Sequence, residues 1–152
     1  MKIRLLQQQD IPGIKLILEE TQLFPSDMLE DMVSGFFDET GPEALWLTCE
    51  DEGAAIGFCY SVPEQMTDGT WNMLAVAVLP SRQGQRIGGA IVRALEEMLR
   101  EKGNRILIVD TSGVEEFAQT REFYRKNGYA EEARIRDFWA LGDDKVTFWK
   151  AL

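Results

Sequence analysis

Apolar positions alternate or run together along some segments of the chain, and recur every three or four residues along others. The first pattern is typical of strands and predicts seven of them. The predicted strands are the segment KIRLL near the start, Ala44–Glu50, Ala54–Val62, Thr70–Leu79, the segment RILIVDT, Ala133–Ala140 and Lys145–Leu152. The second pattern predicts four helices. These are a helix opened by Asp10 and Pro12, a helix over Met28–Phe37, a helix over Gly88–Lys102 and the segment FAQTREFYRKNG.

The resulting order of elements, β α α β β β α β α β β, predicts a single α+β domain over residues 1–152. The short links between the second, third and fourth strands favour antiparallel neighbours, and the continuous apolar run RILIVDT is typical of a strand that is buried on both faces. The chain has 152 residues, of which 45% are hydrophobic, and this is the size and composition of one domain with one sizeable core.

The sequence shows no signal peptide and no apolar run long enough to span a membrane, so we expect a cytoplasmic protein without a membrane partner. Cys49 and Cys59 fall in predicted strands and lack the spacing of a metal site. We therefore expect two buried thiols, no disulfide and no bound metal.

Charge is distributed unevenly along the chain, and histidine is absent. The formal net charge of −10 argues against a nucleic-acid partner. Residues 1–80 carry 3 Lys and Arg against 14 Asp and Glu, whereas residues 81–152 carry 13 against 12. This division indicates either an anionic ligand on the second half with an amine substrate near the first, or ordinary solubilising charge. Without histidine, proton transfer has to use carboxylates, tyrosine, thiol, lysine or water.

The segment SRQGQRIGG, residues 81–89, lies between a predicted strand and a predicted helix. Glycines allow a ligand to approach the backbone closely, and the first turn of a helix offers unpaired N–H groups at the positive end of the helix dipole. Together these features predict an anion site, to which Arg82 and Arg86 add charge. The spacing matches neither GxxxxGK[ST] nor GxGxxG. A plain connection between strand and helix is the alternative.

The same segment resembles motif A of the GNAT superfamily of N-acetyltransferases, in which a strand ending in V-x-P is followed by Q/R-x-x-G-x-G/A. Here the strand ends with Val78–Pro80, and the motif positions fall on Gln83, Arg86 and Gly88. The segment FYRKNGY, residues 123–129, resembles motif B of the family, and the element order resembles that of the family over essentially the whole chain. The resemblance implies the GNAT fold, a mixed and mostly antiparallel sheet of about seven strands flanked by four helices.

Two positions depart from the family pattern. Arg86 stands where motif A usually has its first glycine, and Phe117 stands where an asparagine is often found seven residues before the motif B tyrosine. A cofactor contact made by that asparagine in other members of the family is therefore not expected here. The closing segment RIRDFWALGDDKVTFWKAL again resembles the family, as the last hairpin of one bacterial branch.

The resemblance implies acetyl-coenzyme A (acetyl-CoA) as cosubstrate, with its pyrophosphate on the main chain of the glycine loop and its pantetheine arm along the preceding strand. The implied cofactor-binding residues are Val76, Ala77, Val78, Gln83, Gly84, Gln85, Arg86, Ile87, Gly88 and Gly89. The resemblance also implies direct attack of an amine on the thioester, with a main-chain N–H near Val76 as oxyanion donor and Tyr124 as general acid. Taken alone, Tyr124 also fits a helix tyrosine that packs through its ring.

The general base has two candidates, Glu64 in the loop before the cofactor strand and Asp110 near the end of the following strand. Each is alternatively a solvated loop charge or a helix cap. Acceptor specificity is expected from the first two helices and from the loops around Trp46, Met66 and Trp71, whose side chains either line a pocket or pack in the core.

The leading hypothesis is therefore an acetyl-CoA-dependent N-acetyltransferase acting on a primary amine of a small molecule or amino acid, and the acidic first half favours a cationic amine. Acetylation of a protein N-terminus or lysine is an alternative in the same class. A sensor that binds CoA without turnover and a nucleotide-binding protein are alternatives of other classes. The closing segment VTFWKAL is a candidate interface for a homodimer.

Overall fold

The computed structural model describes residues 1–152, and its elements follow the predicted order. The strands are β1 (Lys2–Leu5), β2 (Leu45–Asp51), β3 (Ala54–Pro63), β4 (Thr70–Val78), β5 (Ile106–Ser112), β6 (Ala130–Ala140) and β7 (Asp143–Ala151). The helices are α1 (Ile11–Thr21), α2 (Leu29–Asp38), α3 (Ile87–Glu101) and α4 (Ala118–Lys126). The largest difference from the predicted bounds is at β6, which begins three residues earlier than expected because only residues 127–129 separate it from α4.

All seven strands form one mixed sheet in the order β1-β2-β3-β4-β5-β7-β6. The central neighbours β4 and β5 are parallel, and every other neighbouring pair is antiparallel. Parallel neighbours need a long crossover connection, which α3 provides. The predicted mixed, mostly antiparallel sheet of seven strands with four helices is confirmed.

The two faces of the sheet are covered by different helices, α1 and α2 on one face and α3 and α4 on the other. Alternation along β2 produces this division, because Leu45 and Leu47 join the core under α3 while Trp46 between them joins the core under α1. Trp46 is 0% exposed and stacks on Tyr60, and Trp71 is 3% exposed in the other core. Both tryptophans are therefore packing residues, and neither lines an acceptor pocket.

The sheet opens between β4 and β5. Parallel pairing covers only Thr70–Asn72 and Ile106–Ile108. Two residues after Asn72, the register of β4 with β3 shifts by one residue and leaves Leu74 as a β-bulge. A bulge bends its strand, here away from β5. The following stretch of β4, Ala75–Val78, pairs with β3 but not with β5. The centre of the sheet thus contains a strand with one free edge.

The far edge of the sheet is β6 and not the closing strand. Strand β7 lies between β5 and β6 and pairs with both, whereas all 11 residues of β6 are exposed. An exposed strand edge is where a second chain can add. Because β7 is paired on both sides, a homodimer through the closing segment VTFWKAL would have to use side chains and not strand addition, and the homodimer stays a prediction.

Two expectations from composition are addressed directly by the structure. Cys49 and Cys59 are both free and buried, as predicted, and burial raises the pKa of Cys59 to about 12, so that it remains a thiol at neutral pH. None of the helices has the length and apolar character that crossing a membrane requires. The cytoplasmic location stays a prediction.

A buried ionic network joins α3, the end of α4 and β7. The Glu96 carboxylate of α3 accepts hydrogen bonds from the Tyr129 hydroxyl at 2.6 Å and from the Lys150 ammonium at 2.9 Å. Lys150 also donates to the main-chain carbonyl of Asn127, directly after α4. Because one partner in each contact to Glu96 is charged, these hydrogen bonds are stronger than neutral ones. They fix the two helices that lie closest to the opening in the sheet.

Candidate active site

A cavity of about 540 Å³ lies where the sheet opens between β4 and β5. Its wall combines the free edge of β4, the loop and first turn of α3, one face of α4 and the end of α1. All of the cofactor-binding residues predicted from the sequence line this cavity except Gln85. The structure therefore brings the β4 residues and the glycine loop together around one space.

The first turn of α3 presents unpaired main-chain donors to the cavity. No side chain caps this helix, so the N–H groups of Ile87, Gly88 and Gly89 have no acceptor within it. These three residues line the cavity, and the positive end of the helix dipole adds to their field. The arrangement is suited to an anion such as a phosphate.

Glycine is favoured at different positions of this loop for two different physical reasons. Gly84 has a φ of +80°, which glycine adopts without strain, and a Cβ added there would meet no atom within 4 Å. In contrast, a Cβ on Gly88 would lie 3.2 Å from the Phe123 ring, and a Cβ on Gly89 would lie 3.0 Å from Asn127 Oδ1. Gly88 and Gly89 therefore permit the close approach of α4 to α3 that forms the cavity wall.

Arg86 precedes α3 and has a φ of 64°, in the left-handed region. This conformation explains why glycine is usual at this position of motif A, and it is strained for arginine by about 1 kcal/mol. The Arg86 side chain is exposed and has no ionic partner in the chain. Arg82, in contrast, pairs with Asp51 at 2.8 Å and donates to Gln85 Oε1 at 3.1 Å. Arg86 is thus the guanidinium that is free to bind a ligand.

Tyr124 lines the cavity from α4 and is only 4% exposed. Its ring packs against Phe123 and Phe148, with centroid distances of 5.3 and 5.5 Å. Burial raises the pKa of Tyr124 well above its usual value, so the hydroxyl keeps its proton at neutral pH. The hydroxyl has no hydrogen-bond partner in the chain. Tyr124 is therefore a protonated side chain whose hydroxyl donor is not used within the chain.

The two candidate bases, Glu64 and Asp110, lie outside the cavity lining but close to each other. Asn72 Nδ2 donates to Glu64 Oε1 at 2.9 Å and to Asp110 Oδ2 at 3.3 Å. Asp110 Oδ1 accepts a further hydrogen bond from Thr147 Oγ1 at 2.5 Å. Because Asn72 is the last residue of β4 that pairs with β5, these side chains lie at the beginning of the opening in the sheet.

Sequence reasoning missed several residues that line the cavity. Gln119 and Thr120 of α4 lie on it together with Tyr124, and helical spacing offers a signal for them because Thr120 is one turn before Tyr124. Leu23, after α1, has no comparable signal. Phe117 is 43% exposed in the turn before α4 and does not line the cavity.

The sequence profile of the acetyltransferase (GNAT) domain matches residues 42–131, more than half of the chain. A comparison with curated proteins found no match. Among solved structures, a protein from Desulfovibrio desulfuricans assigned to the GNAT acetyltransferases is 26% identical and has a TM-score of 0.90, over 99% of this chain and 98% of that chain.

Two other solved structures share the fold at lower identity. An aminoglycoside 6'-N-acetyltransferase complexed with coenzyme A is 18% identical with a TM-score of 0.79, over 99% of this chain and 97% of that chain. A ribosomal-protein-alanine N-acetyltransferase from Brucella melitensis is 18% identical with a TM-score of 0.80, over 100% of both chains. One of these two proteins is named for a small-molecule acceptor and the other for a protein acceptor.

Proposed function

Because the chain belongs to the acetyltransferase (GNAT) family, we propose that it transfers an acetyl group from acetyl-CoA to a primary amine of a small molecule or amino acid. The observation that carries this proposal is the single cavity that is lined by the free edge of β4, the uncapped first turn of α3 and Tyr124. Membership in the family supports the N-acetyltransferase activity, and the geometry supports the roles of individual residues.

Acetyl-CoA is the cosubstrate of the family, and the residues of the cavity fit it. Its extended arm carries amides that can pair with the free β4 edge at Ala75–Val78, and its phosphates suit the N–H groups of Ile87–Gly89 and the Arg86 guanidinium. When bound, it supplies an acetyl thioester whose carbonyl carbon an amine nitrogen attacks. A Cβ built on Gly84 would meet no atom within 4 Å, so the space beside this part of the loop is open to a ligand.

The side chains divide the proton transfers between them in this proposal. Glu64 or Asp110 accepts a proton from the acceptor ammonium, directly or through water, and so frees the nitrogen lone pair. A main-chain N–H near Val76 stabilises negative charge on the carbonyl oxygen. Tyr124, which stays protonated because it is buried, donates its proton to the departing sulfur. No histidine is required for this sequence of transfers.

A cationic small molecule is the acceptor class that the charges favour. The first 80 residues have a large excess of carboxylates, and Glu64, which comes from this part, reaches the opening in the sheet through its contact with Asn72. A field of this sign attracts positively charged amines and repels acidic ones. Acetylation of a protein N-terminus or lysine stays the alternative.

A thiol-release assay tests this function. The protein is mixed with acetyl-CoA and one amine at a time, and the free CoA released is measured with a thiol reagent. The amines are 1,4-diaminobutane, benzylamine, glutamate and a lysine-containing peptide. We expect kcat/KM for the diamine to exceed that for glutamate by about tenfold or more, since the acidic field opposes glutamate. Faster turnover of glutamate contradicts the cationic class, and turnover of the peptide alone supports the protein acetyltransferase.

A binding control separates the remaining alternatives. Saturating CoA should raise the melting temperature of the protein, and ATP should not. Stabilisation by CoA without thiol release over the whole panel would identify a sensor, whereas stabilisation by ATP alone would identify a nucleotide-binding protein.

Replacing Arg86 by glycine should separate its strained backbone from its charge. Because Arg86→Gly relieves the left-handed conformation, we expect the free energy of unfolding to stay constant or to rise by about 1 kcal/mol. Loss of the free guanidinium should weaken CoA binding by about tenfold or more, since hydrogen bonds to charged groups contribute about 1.5–3 kcal/mol. Denaturant unfolding and titration calorimetry measure the two effects.

Arg86→Asn is the matched control, because asparagine tolerates a positive φ but carries no charge. It should weaken CoA binding as much as glycine does. Arg82→Gln should weaken CoA binding less, since Arg82 is already paired with Asp51. Unchanged CoA affinity in Arg86→Gly contradicts the role that we assign to this residue.

A further inference from the structure

The Asn72 amide lies between two carboxylates that come from separate parts of the fold. Glu64 belongs to the loop before β4, and Asp110 belongs to β5. The amide nitrogen of Asn72 donates to one oxygen of each, at 2.9 and 3.3 Å. The side-chain partners of Glu64 and Asp110 are neutral donors only, Asn72 and Thr147. Two carboxyl groups are therefore held together without an ion pair to a lysine or arginine.

Asn72 itself is unusual for a residue of a central strand. It is only 6% exposed, and its Oδ1 oxygen is buried and accepts no hydrogen bond. A buried polar atom without a partner is unfavourable by about 1–3 kcal/mol. An apolar residue at this position would avoid that penalty, so packing alone does not account for an asparagine between two carboxylates.

We propose that Asn72 and Thr147 are positioning residues that hold Glu64 and Asp110 as one carboxylate pair, and that this pair binds the ammonium group of the acceptor. The inference deepens the proposed acetyl transfer and rests on it. Asn72 fixes one oxygen of each carboxylate, and Thr147 fixes the second oxygen of Asp110. Glu64 Oε2 remains free to accept an N–H of the ligand.

The position of the pair in the sheet supports this role. Asp110 and Thr147 are register partners on β5 and β7, and their neighbours Val109, Val146 and Phe148 face the core under α3 and α4. Side chains alternate between the faces of a strand, so the carboxylate pair is on the opposite face of the sheet. An amine held there lies beside the opening between β4 and β5, on the face of the sheet that α1 and α2 cover.

The proton balance of the step is simple. An N–H bond of the bound ammonium breaks, the electron pair stays on nitrogen, and the proton forms an O–H bond with a carboxylate oxygen of the pair. The amine becomes neutral and nucleophilic while the pair loses one negative charge. Two carboxylates stabilise the ammonium before the transfer, and the second still balances the positive charge of any other ammonium group in the acceptor.

The kinetic test uses a substitution at Thr147 that preserves volume. Thr147→Val removes the hydroxyl that orients Asp110, and we expect it to raise KM for the best amine of the panel by about tenfold or more. KM for acetyl-CoA should stay within about twofold, because the cavity lining is unchanged. Thr147→Ser retains the donor and should recover most of the amine affinity. Asn72→Leu should raise the amine KM further, by removing both amide hydrogen bonds.

These variants distinguish positioning from a purely structural role. An equal rise of both KM values in Thr147→Val, or an equally large rise in Thr147→Ser, overturns the proposal. If Asn72→Leu does not fold, the Thr147 pair still decides the result. Failure of the proposed function has a different signature, since the wild-type protein then releases no thiol with any amine.

A binding measurement on the wild-type protein decides the question without turnover. Labelled protein saturated with CoA is titrated with 1,4-diaminobutane while the side-chain amide signals of its asparagines are followed by NMR. The Asn72 signals should shift and saturate. Asn104 and Asn127, whose amides donate to main-chain carbonyls, are internal controls and should not shift. Unchanged Asn72 signals overturn the proposal.

Discussion

Replacing Tyr124 by phenylalanine is expected to lower kcat for acetyl transfer by about 10²–10⁴-fold, the usual contribution of a general acid. The change removes only the hydroxyl. The ring packs against Phe123 and Phe148, and a phenylalanine ring fills the same space. The dissociation constant of CoA should therefore stay within about twofold, since the loop and the β4 edge that bind it are not altered.

Steady-state thiol release and titration calorimetry measure these two quantities. The ratio of wild-type to variant kcat should be constant between about pH 6 and 9, because burial raises the pKa of Tyr124 above this range and its proton is not lost. Tyr60→Phe is the matched control, since Tyr60 lies on β3 against Trp46 and does not line the cavity. Equal losses of kcat in both variants would contradict the assignment of Tyr124 as the acid.

Tyr124 also illustrates which parts of the site were predictable from sequence. The resemblance of FYRKNGY to motif B and of the glycine loop to motif A implied a role for Tyr124 and for the loop, and the structure places both on one cavity. The local pattern is sufficient there because the loop binds through backbone groups whose geometry follows from glycine and the start of a helix. Thr120 and Phe123 were equally accessible from helical spacing and were not used.

Side chains that meet across the sheet were not predictable in the same way. Glu64 and Asp110 were proposed separately, and only the pairing of β4 with β5 and of β5 with β7 brings them to Asn72 and Thr147. The sequence around Asn72 does not indicate its role, because a single polar residue in an apolar strand can lie on either face of the sheet. Trp46 shows the converse, since the sequence left it as either a pocket residue or a core residue, and the structure buries it fully under α1.

At Arg86 the sequence marked an unusual residue, and the structure explains it. The sequence marked Arg86 as a departure from the family pattern, but only the structure supplies the reason why glycine is usual there. The sequence offered Arg82 and Arg86 equally as ligands for an anion. The structure distinguishes them, because Arg82 is paired with Asp51 and Arg86 has no ionic partner. The backbone conformation and the ionic partner both depend on the turn that precedes α3, which no single residue determines.

Removing the ammonium of Lys150 is expected to lower the free energy of unfolding by about 3 kcal/mol, because it leaves a buried carboxylate without its charged partner. Glu96 is 3% exposed, so its carboxylate has little contact with water and depends on the hydrogen bond that Lys150 donates to it at 2.9 Å. In Lys150→Met the aliphatic stem is largely retained, and the ammonium is lost together with its hydrogen bonds to Glu96 and to the Asn127 carbonyl. The Tyr129 hydroxyl remains as a single, neutral donor to Glu96.

Urea unfolding of Lys150→Met measures the loss, and Arg100→Met is its matched control. Arg100 pairs with Glu97, the neighbour of Glu96 on α3, but both side chains are exposed, so its removal should change stability by no more than about 0.5 kcal/mol. The double variant Glu96→Leu with Lys150→Met removes both charges and should recover part of the loss. If Lys150→Met and Arg100→Met lower stability equally, burial of Glu96 is not the cause. If the double variant is less stable than Lys150→Met alone, the uncompensated charge is not what destabilises the single variant.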